Sequence, residues 1–221
     1  MRTNIIKQKI QEYFLLNPTA KLRVRQIERE IHVPLPSAIR YAKELEEEGV
    51  LQSLVISGVR FYTANRTSKT YLLEKKLFNL RSLYSSGLVE HFIETHSNPT
   101  LILFGSYSRG EDIETSDIDL MLITEKTTKD PKIEEFEAKL LRKVQIFSVK
   151  RVEDLKNNHL INNVLNGIVL NGFAEVFHER SKLARMLRKQ RRRNKPRHGK
   201  SKVLNRNRTS QNSIPKRKQT I

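Results

Sequence analysis

The chain has 221 residues, of which 42 are Lys or Arg and 24 are Asp or Glu, so its formal net charge is +18. It contains no cysteine, which excludes a disulfide framework and any thiolate metal site. No apolar run approaches the length of a membrane helix, and residues 1–20 lack the apolar core of a signal peptide. We therefore expect a cytoplasmic protein without a membrane partner.

The positive charge is concentrated at the end of the chain. Residues 180–221 contain 17 Lys or Arg and no acidic residue, so residues 1–179 carry a net charge of only +1. The tail has few apolar residues, and such a composition predicts disorder. We expect this tail to bind RNA or DNA nonspecifically and with strong salt dependence, because a basic chain contacts phosphates through charge. The alternative is a tail that only solubilises the protein.

The first 65 residues predict three helices followed by a β-hairpin. Apolar residues recur at helical spacing in three segments, and in the third of them Ile39, Ala42 and Leu45 are predicted to face inward. Two strand-like runs then flank Ser57 and Gly58, a pair that is typical of a hairpin turn. The predicted helices are 3–16, 24–31 and 37–48, and the predicted strands are 50–56 and 59–63.

This order of elements, together with the phrase SAIRYAKELEEEGVL at residues 37–51, resembles a winged helix–turn–helix module, expected here over residues 1–65. In such modules the third helix enters the major groove of DNA. The alternative is a module that only packs or dimerises, because the glutamates within residues 44–48 would repel phosphates. The resemblance implies that the side chains facing DNA are Ser37, Arg40, Tyr41, Lys43 and Arg60.

Residues 66–97 predict connecting helices that lead into a second domain. Leucine and tyrosine recur at helical spacing from Tyr71 to Leu88, which is the pattern of a helix with one apolar face. The sequence Ser85-Ser86-Gly87 is a candidate break between two helices, because glycine is unfavourable inside a helix.

Residues 101–124, LILFGSYSRGEDIETSDIDLMLIT, contain the side chains that carry chemistry. Apolar runs of strand length open and close this segment. Asp117 and Asp119 are two residues apart, so in a strand their carboxylates project from the same face. Two carboxylates this close repel each other unless a cation lies between them, and Mg²⁺ takes such ligands together with water and substrate phosphates. We therefore predict that Asp117 and Asp119 bind Mg²⁺, or Mn²⁺ in its place.

The turn between the two strands predicts a phosphate site. Gly105 has no Cβ, so its backbone can approach a phosphate closely, and Ser106 donates from both its hydroxyl and its N–H. Arg109 adds a charge-assisted contact. The segment thus predicts a triphosphate at one end and its metal at the other. The alternative is an ordinary glycine turn before a strand whose two aspartates only face solvent.

The pattern G-S-x-x-x-G, five residues and then S-D-I-D resembles the signature of the DNA polymerase β-like nucleotidyltransferase superfamily, with the compact spacing of its minimal members. The expected fold class is α+β: a winged helix–turn–helix module, a small mixed α/β nucleotidyltransferase domain over residues 98–179, and the disordered tail. The resemblance implies that Asp117 and Asp119 are catalytic. The signature residues Gly105, Ser106, Gly110 and Ser116 are the predicted nucleotide contacts, together with Arg109, which is predicted from its charge.

One position departs from the superfamily pattern. Active members place a third carboxylate on the strand after the signature, where it helps to hold metal and accepts the proton of the attacking hydroxyl. The matching residue here is Gln145, whose amide is not basic near neutral pH and binds Mg²⁺ more weakly. Glu135 or Glu137, on the preceding helix, is the alternative acid. The predicted elements after the signature are a helix over 131–141, a strand over 143–149 and a helix over 154–163.

Two functions are expected. The first is an enzyme that uses Mg²⁺ to transfer a nucleoside monophosphate from a nucleoside triphosphate, ATP above all, to an acceptor hydroxyl with release of pyrophosphate. The resemblance implies acceptors such as nucleic-acid ends, small molecules or side chains of a partner protein, including antitoxin-type modification of a toxin. The second is a non-enzymatic DNA-binding regulator whose degenerate nucleotidyltransferase domain only binds nucleotide.

Overall fold

The structure, a computed structural model, describes residues 2–125 and 132–174, all of which fall within one compact unit. The disorder and nucleic-acid binding expected of residues 180–221 lie outside the described residues. The N-terminal part has three helices and a hairpin, as the sequence predicts. Its elements are α1 (Arg2–Leu16), α2 (Val24–Ile31), α3 (Leu35–Glu47), β1 (Leu51–Ile56) and β2 (Val59–Ala64).

The hairpin forms around the predicted turn. Strands β1 and β2 pair antiparallel along their whole length, and the two turn residues, Ser57 and Gly58, both have positive φ, 48° and 77°. Positive φ at both central positions matches the twist of paired strands, which is why small residues are favoured there. Leu22, between α1 and α2, adds a single bridge to Tyr62 of β2 and so joins the hairpin to the helices.

The buried face of α3 differs from the predicted one. Ala42 and Leu45 are buried as predicted, but Ile39 is 54% exposed and Tyr41 is only 4% exposed. The predictions that Ile39 faces inward and that Tyr41 faces DNA are therefore wrong. The buried residues Ala38, Tyr41, Ala42 and Leu45 follow the spacing of one helical stripe, and the Tyr41 ring covers far more apolar area on that stripe than a smaller side chain would.

Two helices connect the N-terminal part to the second part, as predicted. Helix α4 (Lys69–Ser86) begins after Ser68, whose hydroxyl oxygen accepts the N–H of Tyr71 at 3.4 Å. It ends at Gly87, which has φ of +83° and therefore adopts the left-handed conformation that glycine favours at a helix end. Helix α5 (Leu88–Thr95) follows directly. No helix in the described part of the chain is long and apolar enough to cross a membrane.

The second part is built on a four-stranded mixed sheet. Its elements are β3 (Thr100–Phe104), α6 (Gly105–Arg109), β4 (Ile118–Ile123), α7 (Ile133–Leu140), β5 (Val144–Val149), a 3₁₀ turn (Val152–Asp154), α8 (Asn158–Leu165) and β6 (Ile168–Asn171). The strand order is β5-β4-β3-β6, in which β3 is antiparallel to β4 and β6, and β4 is parallel to β5. The predicted α+β class is therefore confirmed.

Both faces of the central strands are covered by apolar side chains. Along β3, Leu101 and Leu103 belong to a buried cluster that includes Phe92 of α5, whereas Ile102 and Phe104 belong to another that includes Val164 of α8. This alternation follows from the two-residue period of a strand. The polar side chains of the signature consequently lie where β3 ends and β4 begins.

Helix α8 begins four residues later than predicted. A side-chain cap explains the shift: Asn157 Oδ1 accepts the N–H of His159 at 2.9 Å and that of Leu160 at 3.4 Å. Such a cap satisfies N–H groups that have no partner in the first turn of a helix, so it fixes the start of the helix more strongly than the apolar spacing does. The predicted helix over 131–141 is α7, with Pro131 outside the described residues.

Candidate functional site

The two predicted acids lie at the start of β4. Asp117 immediately precedes the strand and is exposed, and Asp119 is the second residue of the strand and is half-buried. In the sheet, Asp119 is opposite Phe104 of β3 on one side and Gln145 of β5 on the other. Asp119 thus lies between β3, which leads into the glycine turn, and β5, which carries Gln145 in place of the expected third carboxylate.

The charges of the two acids interact. Burial raises the pKa of Asp119 above its ordinary value, the negative charge of Asp117 raises that pKa further, and the positive charge of Arg109 opposes both. A carboxylate whose ionised form is disfavoured by burial and by a like charge gains from a nearby cation. The pair therefore has the chemistry of a divalent-cation site.

This pKa shift predicts a pH dependence of metal binding. A cation at this site would need the ionised form of Asp119, so protons would compete with it, and we expect Mg²⁺ affinity to fall as the pH is lowered from neutrality towards the raised pKa of Asp119. Asp117→Asn removes one of the two causes of the raised pKa. In that variant the carboxyl resonance of Asp119, followed by NMR, is expected to titrate at lower pH than in the unsubstituted protein. An unchanged titration would contradict the interaction between the two acids.

Gly105, at the end of β3, lies directly against Asp119. Its φ is +74°, and a Cβ at this position would overlap Oδ2 of Asp119 and lie 3.2 Å from its Cγ. Glycine is therefore needed both for the backbone conformation and for the close approach to the carboxylate. The adjacent Ser106 is half-buried in the first turn of α6, so it lies next to the residue that contacts Asp119.

Gly105→Ala is expected to lower nucleotide affinity in Mg²⁺ by at least about tenfold, because Asp119 must move to admit the methyl group. Gly58→Ala is a matched control: Gly58 has nearly the same φ, +77°, and a methyl group added there would meet nothing within 4 Å. Both variants have the cost of a positive φ, so both lose some thermal stability. Equal nucleotide affinity in the two variants, measured by titration calorimetry, would contradict the assignment.

The other predicted nucleotide contacts have structural partners. Arg109 is exposed, and its Nε donates to Glu111 Oε2 at 2.7 Å. Gly110 is buried, and a Cβ there would lie 2.6 Å from the carbonyl oxygen of Leu72, so glycine permits α6 to pack against α4. Ser116 Oγ accepts the N–H of Ile113 at 2.9 Å and closes the turn before Asp117.

The position of the third acid is filled by an amide. Gln145 is exposed on β5 beside Asp119, as the strand register shows. Within residues 2–125 and 132–174 there is no group of three or more histidines and acids placed to bind a metal. Glu137 has other partners: its Oε1 accepts the N–H of Val144 and its Oε2 accepts from Lys143 Nζ, both at 2.8 Å. Those hydrogen bonds lower the pKa of Glu137 and engage both of its carboxylate oxygens.

A cavity of about 500 Å³ adjoins Asp117. Its walls include Arg142 and Lys143, which immediately precede β5, and Glu114 from the turn before Asp117. The N-terminal part supports two of these walls: Arg142 Nη2 donates to the carbonyl oxygen of Leu16 at 3.1 Å, and Thr19 donates to Glu114 from its N–H and its hydroxyl. The cavity beside Asp117 is therefore lined by polar side chains, two of which are hydrogen-bonded to the N-terminal part.

A buried polar cluster behind the turn was not predicted. Lys75 and Asn79 lie on the buried face of α4 and contact Asp112, and each of the three is 1% exposed. The spacing of Tyr71, Lys75, Asn79 and Leu83 places them on one helical face. The sequence signal that could have indicated this cluster was the presence of Lys75 and Asn79 on the same helical face as Tyr71 and Leu83.

The residues predicted to face DNA are distributed over α3 and the hairpin. Ser37 is half-buried near the start of α3, and Arg60 is exposed on β2. Arg40 and Lys43 are exposed, and each forms an ion pair one turn along the helix. The pairs are Arg40 with Glu44 at 2.8 Å and Lys43 with Glu47 at 3.6 Å.

A comparison with protein families agrees with the second part of the fold. The family model described as Polymerase beta, Nucleotidyltransferase matches residues 89–172, a range that contains the glycine turn, both acids and Gln145. No curated protein matches the chain. The N-terminal helices and hairpin lie outside the matched range. Residues 89–172 are accordingly similar to the nucleotidyltransferases of the DNA polymerase β-like superfamily.

Proposed function

We propose that the protein transfers a nucleoside monophosphate from a nucleoside triphosphate, with ATP the first candidate, to an acceptor hydroxyl. The observation that supports this most directly is the contact of Gly105 with the Asp119 carboxylate. It brings a turn suited to phosphates against an acid suited to metal. A domain of this superfamily supports nucleotidyl transfer in general, and the choice of nucleotide and acceptor is the proposal.

The residues fit a divalent cation such as Mg²⁺ or Mn²⁺. Asp117 and Asp119 supply hard oxygen ligands. Burial and, after it, the negative charge of Asp117 raise the pKa of Asp119, and a cation would offset both effects. Mg²⁺ often takes only one or two protein carboxylates and completes its shell with water and substrate phosphates. When bound, the ion would neutralise charge on the triphosphate.

The chain's own groups have distinct tasks in the reaction. In this proposal Ser106 and Arg109 hold the triphosphate, and Arg109 exchanges its ion pair with Glu111 for the phosphate. The acceptor oxygen then forms a bond to the α-phosphorus while the bond from that phosphorus to the bridging oxygen breaks, and pyrophosphate leaves. Because Gln145 is not basic, the acceptor proton leaves to water or to a phosphate oxygen. Phosphoryl-type transfer tolerates this, since it depends mostly on positioning and charge neutralisation.

A direct test combines the full chain, either Mg²⁺ or Mn²⁺, and each of the four α-labelled ribonucleoside triphosphates, with pyrophosphate release as the readout. Acceptors to include are RNA and DNA ends, small polyols, and candidate partner proteins, among them toxin-like proteins because an antitoxin role is part of the proposal. Transfer of label to one acceptor class supports the proposal. Absence of pyrophosphate release with every acceptor and both metals would reject it.

A DNA-binding regulator is the second candidate. The observation in its favour is that Arg40, Lys43 and Arg60 are exposed on the third helix and the wing of the hairpin. The proposed groove contact is weakened by the ion pairs that Arg40 and Lys43 already form within α3. Residues 1–65 therefore have the exposed cations of a DNA-binding module. DNA phosphates would have to replace Glu44 and Glu47 as the partners of Arg40 and Lys43.

If this module binds DNA, Lys43→Ala with Arg60→Ala should weaken binding to duplex DNA and reduce the slope of log affinity against log salt by about two. The control pair is Lys139→Ala with Lys150→Ala, which removes the same charge from exposed positions in the second part. Fluorescence anisotropy of the full chain measures both, so residues 180–221 contribute equally. An equal loss in the two double variants would assign binding to charge alone.

A further inference from the structure

The buried amide of Asn79 joins the glycine turn to the segment that leads to the acids. Asn79 Nδ2 donates to the carbonyl oxygen of Tyr107, inside α6, and to Asp112 Oδ1, each at 2.8 Å. The side-chain NH₂ of asparagine has two hydrogens, so each bond uses one. We propose that Asn79 is a positioning residue that holds the glycine turn for the triphosphate, an inference that rests on the proposed nucleotidyl transfer.

The first bond completes a very short helix. After α6, the N–H groups of Gly110 and Glu111 both donate to the carbonyl oxygen of Ser106. The Tyr107 carbonyl is thereby left for a partner outside the helix, as the last carbonyls of helices generally are. Asn79 is that partner. A side chain of α4 therefore fixes the end of the helix whose beginning is the predicted phosphate contact.

The second bond fixes a residue five positions before Asp117. Asp112 is fully buried and also forms an ion pair with Lys75, whose Nζ is 2.8 Å from Oδ2. Lys75 Nζ also donates to the carbonyl oxygen of Leu15 at 2.6 Å. Burial lowers the pKa of Lys75, and the charge of Asp112 opposes that shift. The ion pair anchors Asp112, and Asn79 connects this anchored carboxylate to α6.

The orientation of Asn79 is determined by its neighbours. Both contacts are acceptors, so the NH₂ group must face them, and Oδ1 is left without a hydrogen-bond partner among the described residues. A buried carbonyl without a partner is costly, and an apolar residue of similar size would avoid that cost. The presence of a polar side chain at position 79 is therefore best explained by its two hydrogen bonds, which hold Tyr107 and Asp112 in place.

The test compares the full-length protein with Asn79→Leu and with the double variant Lys75→Met/Asp112→Asn. Asn79→Leu removes both hydrogen bonds but retains the ion pair and the volume. The double variant removes the charges but retains an acceptor for each Asn79 hydrogen. Titration calorimetry measures binding of a Mg²⁺ complex of ATP whose α,β-bridge is non-hydrolysable, and circular dichroism measures the melting temperature.

We expect Asn79→Leu to weaken nucleotide binding by about tenfold at a temperature where it is fully folded. The double variant should melt at a lower temperature than the unsubstituted protein, because the carbonyl oxygen of Leu15 loses its donor. It should nevertheless bind nucleotide within about twofold of the unsubstituted protein, because its turn keeps both Asn79 hydrogen bonds. This separation of affinity from stability distinguishes positioning from a merely structural contribution. Unchanged affinity in folded Asn79→Leu overturns the inference.

A second variant covers the case in which Asn79→Leu does not fold. Asn79→Ser keeps one donor, so we expect nucleotide affinity to fall by less than about tenfold. An affinity equal to that of the unsubstituted protein would again overturn the inference. Failure of the proposed function has a different signature. If the unsubstituted protein binds no Mg²⁺–nucleotide complex, both proposals fall, whereas binding that is insensitive to Asn79 rejects only the positioning role.

Discussion

Asp119→Ala is expected to reduce pyrophosphate release by at least about 100-fold, since metal-assisted charge neutralisation is worth several kcal/mol in such reactions. Asp119 is the more buried of the two acids and the one in contact with Gly105. The substitution would remove a proposed metal ligand and leave a gap beside Gly105. Asp117→Ala should have a similar effect, because Asp117 supplies the other carboxylate of the pair.

The matched control is Glu125→Ala. Glu125 follows the opposite end of β4, its side chain is exposed, and its Oε2 lies 3.6 Å from Lys150 Nζ. This change also removes one carboxylate beside the same strand, so it tests for general effects of charge. Steady-state rates and melting temperatures should be measured together for all three variants. Residual activity in Asp119→Ala close to that of the control would exclude Asp119 as the metal ligand.

The candidate site was predictable because its geometry is local. A strand, a glycine turn and a second strand place Gly105 and Asp119 in contact through backbone constraints that are visible in the spacing of the residues. Parallel pairing of β4 with β5 then brings Gln145 beside Asp119. That pairing is a longer-range property, and it was inferred from the resemblance to a family and not from the residues themselves.

The errors arise where tertiary packing chooses among several faces. Helical spacing alone allows either Ile39 or Tyr41 on the inner side of α3, and packing against α1 and α2 selects the tyrosine. Lys75 and Asn79 were missed for a related reason. Their burial depends on Asp112, which is more than 30 residues away, and no periodic pattern reports a contact over that distance.

Hydrogen bonds at and after the end of α1 connect the N-terminal part to the rest of the chain. Thr19 binds Glu114, and the carbonyl oxygens of Leu15 and Leu16 accept from Lys75 and Arg142. Glu114 has a lowered pKa, because its hydrogen bonds with Thr19 and its own backbone outweigh the effect of burial. Residues at and after the end of α1 therefore hold two walls of the cavity beside Asp117, those of Glu114 and Arg142.

Gln145→Glu is expected to raise the nucleotidyl-transfer rate by about tenfold to 100-fold, the range by which ligand-environment changes commonly alter metal affinity or activity. The substitution is nearly isosteric and exchanges an amide for a carboxylate beside Asp119. The new carboxylate adds a third metal ligand, and it supplies a base for the acceptor hydroxyl. It also adds negative charge, so the pKa of Asp119 should rise further when no metal is bound.

The effect of Gln145→Glu on the rate distinguishes two explanations of low activity: a reaction limited by the amide at position 145, and a domain that only binds nucleotide. If the amide at position 145 limits the reaction, Gln145→Glu raises the rate and steepens its dependence on Mg²⁺. Gln52→Glu is the control, because it makes the same exchange on an exposed residue of β1. A domain that had become a nucleotide sensor would instead bind nucleotide more tightly in Gln145→Glu without turning it over. Equal rates and equal Mg²⁺ dependence in both variants would show that the missing carboxylate is not what limits this site.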